Sequence, residues 1–171
     1  DKVVLIEGKQ YGTTCARVGC MPSKLLIAAA ESAHNASQAG LFGVQVGDIK
    51  IDGQQVMARV RNERDRFVQS VVRSMENQPE EQRLMGHARF VGPHRLIVGE
   101  HTEVIADRIV IATGSRPNVP SMFSDAKDRL VVNDDIFSWD DLPELVAVFG
   151  PGIIGLELGQ ALSRVGVRIR L

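Results

Sequence analysis

The sequence predicts an α/β fold in which parallel strands alternate with helices. Two short apolar runs, 2–7 and 144–149, have the length and composition of buried strands. Each run leads through glycine-containing turns into a segment with helical character, and a returning apolar run follows the second at 165–171. Strands and helices that alternate in this way are typical of βαβ units with parallel sheets.

The first strand ends in an acid and a glycine, Glu7 and Gly8. In a dinucleotide-binding βαβ unit, an acid at the end of the second strand hydrogen-bonds the adenosine ribose. Glu7 fits that role, although the sequence contains no glycine-rich phosphate loop before it.

The two cysteines of the chain lie five residues apart within one short segment, 12–24. In an ideal α-helix such residues have Cα atoms roughly 8.5 Å apart, whereas a disulfide needs about 4.4–6.8 Å. A Cys15–Cys20 bridge therefore needs a distorted turn, which Gly19 allows, and strained bridges of this kind are easily reduced. The spacing favours a redox-active pair over two alternatives, a structural disulfide and a zinc site. No paired ligand spacing is found among the four histidines.

A helix is expected over 24–39. Pro22 suits its first turn, where a missing N–H costs nothing. Cys20 would then lie just before a helix N-terminus, where the helix dipole favours a thiolate, and Lys24 adds a positive charge nearby.

The segment 12–24 resembles the active-site motif of the flavin-dependent pyridine nucleotide–disulfide oxidoreductases, a family that includes dihydrolipoamide dehydrogenase, glutathione reductase and mercuric reductase. The resemblance covers 2–171 and implies that Cys15 exchanges disulfide with substrate, that Cys20 contacts the flavin, and that Lys24 lies beside the flavin ring. One departure is Thr13, which stands where many members have glycine. The FAD contacts implied by the resemblance are Glu7, Gly8, Gly12, Thr13, Thr14, Lys24, Ala88, Ala112, Thr113, Gly114 and Ser115.

The segment 84–106 breaks into short β-like runs separated by glycine-containing turns, which predicts a small antiparallel meander. The five residues 86–90 resemble the family's Gly-x-Ala-x-Phe strand, whose backbone near the alanine, here Ala88, contacts the flavin adenine. The run 107–115 is predicted as a buried strand that ends in a small-residue turn, which in the family closes the FAD domain against the cofactor.

The run 144–149 enters a G-x-G-x-x-G pattern that follows a strand and opens a helix. Its first glycine permits a tight turn, its second lets the backbone approach a pyrophosphate, and its third allows helix–strand packing. The resemblance implies that Glu157 lies near the nicotinamide, and Gly155, where NADP-dependent glutathione reductases tend to have alanine, favours NAD. The expected NAD contacts are Gly150, Gly152, Ile153, Ile154, Gly155 and Glu157.

Helical spacing of apolar residues predicts a long amphipathic helix over 54–77, with no chemistry assigned to it. The resemblance implies a Rossmann-like FAD-binding domain with an antiparallel meander, followed by the start of a second Rossmann-like domain for NAD. We expect the FAD-binding domain at 1–118 without its first strand and phosphate loop, a linker at 119–143, and the beginning of the NAD-binding domain at 144–171. The chain is thus expected to be an internal fragment, with the catalytic base outside it.

The composition of the chain bears on which classes of partner it binds. With a formal net charge of −1, 44% apolar and 24% charged residues, the chain indicates neither a nucleic acid nor a membrane as partner. Two cysteines in a single motif fit a reducing compartment, the cytoplasm or, in a eukaryote, the mitochondrial matrix. We expect no metal site.

The leading interpretation is an NAD-dependent FAD enzyme, most like dihydrolipoamide dehydrogenase. It would oxidise a small-molecule or lipoyl-domain dithiol and be homodimeric at full length. A mercuric or glutathione reductase-like enzyme using NAD(P)H, a non-catalytic nucleotide-binding module and a zinc-stabilised domain are the alternatives.

Overall fold

The computed structural model describes residues 2–171 and confirms the α/β class. The chain divides into two units by its contacts. The first unit contains the residues up to Thr13 together with Val68–Arg116, and the second contains Thr14–Phe67 and Pro117–Leu171.

The first unit contains a parallel strand pair. Strand β1 (Leu5–Glu7) runs parallel to β2 (Arg83–Met85), with Ile6 opposite Leu84. The expectation of a buried strand over 2–7 is wrong for its front half, because Val3 is 70% exposed and regular strand structure begins only at Leu5. Within the described residues β1 has one neighbouring strand, so much of its apolar surface is left uncovered.

The antiparallel meander is confirmed. Strands β3 (Ala88–Gly92), β4 (Arg95–Val98) and β5 (Thr102–Ile105) form a three-stranded sheet in that order, with both pairs antiparallel. Its predicted start at residue 84 is wrong, because 83–85 pair with β1 instead.

The segment 107–115 is not a strand, which corrects the expectation of a buried one. Val110 is 87% exposed and Ile111 is 70% exposed. An apolar run becomes a strand only when a neighbouring strand pairs with its N–H and C=O groups, and within residues 2–171 none does.

The second unit begins with two consecutive helices, α1 (Thr14–Val18) and α2 (Cys20–Gln38). Helix α2 begins four residues before the expected start at Lys24, and Pro22 lies in its first turn as predicted. A 3₁₀ turn over Ala39–Phe42 follows the helix. Helix α3 (Gly53–Glu76) matches the expected 54–77 within one residue at each end, and its last residues belong to the first unit.

A βαβ element closes the second unit. Strand β6 (Leu145–Ala147), helix α4 (Ile153–Arg164) and strand β7 (Arg168–Arg170) follow in order, and the strands pair in parallel with Val146 opposite Ile169. The returning strand and the helix after the glycine pattern are confirmed.

The main core lies in the second unit, where α2 packs against α4. Phe137, which is 1% exposed, is the largest fully buried side chain and lies inside the segment expected to be a linker. The guanidinium of Arg64, in α3, donates to the carbonyl oxygen of Phe137 at 2.9 Å. This hydrogen bond fixes the turn around Phe137 against α3. The buried residues of this core are Leu26, Ala30, Met57, Val60, Ile136, Phe137, Leu158, Ala161, Leu162, Val165 and Val167.

Within residues 2–171, no helix combines the length and the apolar character that crossing a membrane requires.

Candidate active site and nucleotide-binding loop

The two cysteines flank a break between helices. Helix α1 ends at Val18 and α2 begins at Cys20, and Gly19 between them has a non-helical backbone, with φ −125° and ψ −117°. A Cβ on Gly19 would lie 3.1 Å from the carbonyl oxygen of Thr14 and 3.3 Å from Cα of Cys15. The turn that the cysteine spacing requires is therefore present at Gly19, and glycine lets the two helices approach closely there.

The structure brings the two thiols into contact. Both are exposed free thiols. The pKa of Cys15 is raised, chiefly by a hydrogen bond with the Cys20 thiol, with smaller contributions from partial burial and from the Cys20 charge. Backbone N–H groups of Cys20 and Met21 act in the opposite direction and lower that pKa. The first amides of α2 thus reach the Cys15 sulfur, whereas the sequence suggested that the helix dipole would act at Cys20.

An ion pair joins the cysteine helix to the helix after the glycine loop. Nζ of Lys24 in α2 lies 2.8 Å from Oε1 of Glu157 in α4, with side chains that are 60% and 33% exposed. The pKa of Glu157 is lowered mainly by the hydrogen bond from Lys24, with further lowering by a Ser23 hydrogen bond and the Lys24 charge, and burial opposes these effects. Two residues assigned to different cofactors in the sequence analysis therefore contact each other directly.

Ser23 is a member of this site that the sequence analysis passed over. It is 6% exposed, and its hydroxyl donates to the carbonyl oxygen of Cys20 at 3.2 Å. A serine beside a lysine in a helix carries no distinguishing signal, so its burial and its bond to Cys20 appear only in the structure.

The glycine loop has the geometry that nucleotide binding requires. Gly150 has a φ of +100°, a backbone conformation that residues other than glycine rarely adopt. Gly152 is the N-cap of α4. A Cβ on Gly155 would lie 2.6 Å from the carbonyl oxygen of Gly150, so a hydrogen at this position lets α4 lie directly on the loop. The amides in the first turn of α4, including those of Ile153 and Ile154, have no partner within the helix and can hold a phosphate. This loop fits the diphosphate of a pyridine nucleotide.

Three candidate FAD residues of the first unit lie at or directly beside the ends of its strands, namely Glu7, Gly8 and Ala88. Glu7 ends β1, and its Oε1 accepts from the backbone N–H of Lys9 at 2.9 Å, which fixes the carboxylate at the carboxyl end of the strand. A Cβ on Gly8 would lie 2.8 Å from Nδ1 of His87, the residue before Ala88 at the start of β3. A carboxylate fixed at a strand end fits a ribose hydroxyl. Gly12 and Gly114 have φ values of +98° and +68°, and the remaining candidates of this unit are Thr13, Ala112, Thr113 and Ser115.

Thr14 begins α1 in the second unit, next to Cys15.

Across residues 2–171, no group of three or more His, Cys, Asp or Glu side chains is arranged to hold a metal ion.

Comparisons with known proteins agree with this geometry. The model of the pyridine nucleotide-disulphide oxidoreductase family matches residues 1–171. The chain is 31% identical over 178 residues to the mitochondrial dihydrolipoyl dehydrogenase of Pisum sativum, covering 98% of this chain and 34% of that protein. It is 31% identical over 175 residues to a soluble pyridine nucleotide transhydrogenase of Mycobacterium bovis, covering 98% and 37%.

Among solved structures, the Cu(II) complex of the HOCl-induced flavoprotein disulfide reductase RclA from Escherichia coli has the same fold, with a TM-score of 0.79 at 23% identity. That match covers 99% of this chain and 35% of the other. The chain therefore spans about a third of the length of the relatives it matches. The glycine loop, the cysteine pair and the family match lead to one conclusion: the chain belongs to the pyridine nucleotide–disulphide oxidoreductase family.

Proposed function

We propose that the full-length protein is an NAD-dependent FAD flavoprotein that oxidises a dithiol to a disulfide. The observation that carries this proposal is the contact between the Cys15 and Cys20 thiols at the start of α2. Relatives named dihydrolipoyl dehydrogenase support a dihydrolipoamide-like substrate, either as a small molecule or on a lipoyl domain.

The cysteine pair carries out the exchange with substrate. In the oxidised pair, one substrate thiolate attacks the Cys15 sulfur, the Cys15–Cys20 bond breaks, and Cys20 leaves as a thiolate. The second substrate thiolate then attacks the substrate sulfur of the mixed disulfide, so the substrate disulfide forms and Cys15 leaves. Two electrons pass to the cysteine pair, and the two substrate protons go to the released thiolates or to solvent.

Protonation of the reduced pair follows from the local contacts. Because the Cys20 thiol raises the pKa of Cys15, a proton is retained on Cys15 after the exchange. The resemblance to the family supports Cys20 as the residue that would face the flavin.

The chain supplies residues for both cofactors. FAD, when bound, would supply an acceptor for the electron pair of the reduced cysteines and a hydride donor for NAD⁺. The Lys24–Glu157 ion pair, within hydrogen-bond distance at 2.8 Å, holds the lysine at a fixed place on α2. The residues that would hold NAD are Gly150, Gly152, Ile153, Ile154, Gly155 and Glu157, and those that would hold FAD are Glu7, Gly8, Gly12, Thr13, Thr14, Lys24, Ala88, Ala112, Thr113, Gly114 and Ser115.

We further propose that the full-length protein is a homodimer in the cytoplasm or, in a eukaryote, in the mitochondrial matrix. The domain division proposed from the sequence is 1–118 for FAD, 119–143 as the connection, and 144–171 for NAD.

The test uses the full-length protein purified with its flavin. NAD⁺ reduction by dihydrolipoamide is measured for the wild type, Cys15→Ser and Cys20→Ser, and NADH- or NADPH-dependent reduction of glutathione disulfide and Hg²⁺ is measured in parallel. We expect dihydrolipoamide turnover that both variants lose while they retain flavin.

Three results would contradict parts of the proposal. If Cys15→Ser turned over dihydrolipoamide as fast as the wild type, Cys15 would have no part in the reaction. Activity only with glutathione disulfide or Hg²⁺ would show that the protein is a disulfide or mercuric reductase and not a dithiol dehydrogenase. A protein that binds both cofactors and turns over none of these substrates would be a nucleotide-binding module.

A further inference from the structure

Two phenylalanine rings meet beside the glycine loop. The ring centroids of Phe123 and Phe149 lie 4.6 Å apart, and the ring planes are tilted by 52°. Both residues belong to the second unit. Tilted aromatic pairs at such a distance attract each other by more than the area that they bury. Phe123 comes from the segment 119–143, which the sequence predicted as a linker, so this contact brings part of that segment to the nucleotide loop.

Phe149 stands where the chain leaves the sheet. The N–H of Val148 donates to the carbonyl oxygen of Arg170 at 2.7 Å, which continues the pairing of β6 with β7. Phe149 comes next and directly precedes Gly150, whose φ is +100°. Because Phe149 is 72% exposed, other groups within residues 2–171 cover little of it, and the Phe123 ring supplies its aromatic contact.

Phe123 is itself held in a closed turn. It lies in the 3₁₀ segment Ser121–Arg129, and its N–H donates to the carbonyl oxygen of Pro120 at 3.1 Å. Phe123 is half-buried, whereas the neighbouring Met122 is 81% exposed. The turn therefore presents one of two adjacent apolar side chains to Phe149 and leaves the other in solvent.

We propose that Phe123 is a positioning residue for the pyridine nucleotide, because its ring holds Phe149 and thereby orders the glycine loop before the nucleotide binds. This inference rests on the proposed function, since it concerns the site assigned to NAD. The carbonyl oxygen of Gly150 lies 2.6 Å from where a Cβ on Gly155 would be, so the loop and the first turn of α4 cannot shift independently. The amides of that turn would hold the diphosphate. A loop that is already ordered in the free protein loses less conformational entropy on binding.

The experiment compares Phe123→Ala with Met122→Ala in the full-length flavoprotein. Met122 is the matched control, because it is an apolar neighbour in the same turn whose side chain is exposed. Stopped-flow reduction of the flavin at a series of NADH concentrations gives the Kd of NADH and the limiting rate of reduction.

Phe123→Ala is expected to raise the Kd of NADH about three- to tenfold, because the attraction between the two rings is lost. The limiting rate is expected to stay at the wild-type value, because the loop binds the nucleotide and takes no part in hydride transfer. Met122→Ala is expected to change neither quantity. A wild-type Kd for Phe123→Ala, or an equal rise for both variants, would overturn the inference.

Two further measurements separate positioning from structural damage. Reduction of the flavin by dihydrolipoamide depends on the cysteine pair and not on the glycine loop, so its rate is expected to be unchanged in Phe123→Ala. If Phe123 acts through Phe149, Phe123→Ala has no further effect on the Kd of NADH in a Phe149→Ala background. A parallel loss of the dihydrolipoamide reaction, or additive losses in the double variant, would overturn the inference.

Should Phe123→Ala fail to fold, Phe123→Tyr and Phe123→Leu carry the test. Tyrosine retains the aromatic ring, so this variant is expected to bind NADH as tightly as the wild type. Leucine retains apolar volume without a ring, so weaker binding is expected. Equal Kd values of NADH for these two variants would contradict the proposal.

These outcomes differ from a failure of the proposed function. Loss of that function would appear in the wild type itself, as a protein that has no flavin or whose flavin NADH does not reduce. A wild type that is reduced normally, with Phe123→Ala indistinguishable from it, overturns only the role of Phe123.

Discussion

Replacing Gly155 with alanine tests whether α4 rests directly on the glycine loop. The new Cβ would lie 2.6 Å from the carbonyl oxygen of Gly150 and 3.2 Å from Cγ1 of Val148. The first contact is with backbone and cannot be relieved by a side-chain rotation, so α4 and the loop must separate. Overpacking of this kind lowers the free energy of unfolding by about 1–3 kcal/mol. The better helix propensity of alanine offsets this loss by up to about 1 kcal/mol. We expect a net loss of about 1–2 kcal/mol.

The assay is thermal unfolding of the full-length protein, together with the affinity for NADH. Gly159→Ala is the matched control, because its Cβ would meet Ile169 and Val148 at ordinary distances of 3.8 and 3.9 Å. Gly155→Ala is expected to melt several degrees lower and to bind NADH about tenfold more weakly, while Gly159→Ala melts at or above the wild-type temperature. Equal melting temperatures and NADH affinities for the two variants would refute close packing at Gly155.

Three further predictions concern the cysteine turn and the core. Gly19→Ala is expected to lower dithiol turnover about three- to tenfold with flavin retained, because its Cβ would press the helix that carries Cys15 away; unchanged turnover would contradict this. In reduced protein, Cys20→Ala is expected to speed alkylation of Cys15 by iodoacetamide at neutral pH, because the main cause of its raised pKa is removed while the backbone donors stay. Mass spectrometry follows the adduct. Slower labelling of the variant would show that Cys20 lowers the pKa of Cys15 and does not raise it. Phe137→Ala is expected to destabilise the protein by about 3–5 kcal/mol in urea unfolding, whereas Phe42→Ala, at a site 84% exposed, should change stability by less than about 0.5 kcal/mol.

Local signals made much of the fold predictable from the sequence. The turn at Gly19, the helix after it and the glycine loop before α4 all depend on residues close together in the chain, whose spacing fixes the backbone. The meander was predictable for the same reason, because glycine-containing turns separate its strands.

Features that depend on distant partners were not predictable. Phe137 lies in a short turn with no periodicity, and its burial depends on α3 and on the donor Arg64. The run 107–115 has the composition of a strand, but no strand within residues 2–171 pairs with it. Lys24 and Glu157 are separated by 133 positions, so their ion pair appears only in three dimensions.

We propose above all that Cys15 and Cys20 form a redox pair that exchanges electrons with NAD⁺ and NADH. The most direct measurement is alkylation of the denatured full-length protein, quantified by mass spectrometry on the peptides that carry these two residues, before and after anaerobic NADH. We expect a disulfide-linked, unlabelled pair in the oxidised enzyme and two labelled thiols after NADH is added. In a variant that cannot bind NADH, the pair should stay disulfide-linked and unlabelled. Two thiols already labelled in the oxidised enzyme, or a disulfide that survives NADH while the flavin is reduced, would contradict the proposal.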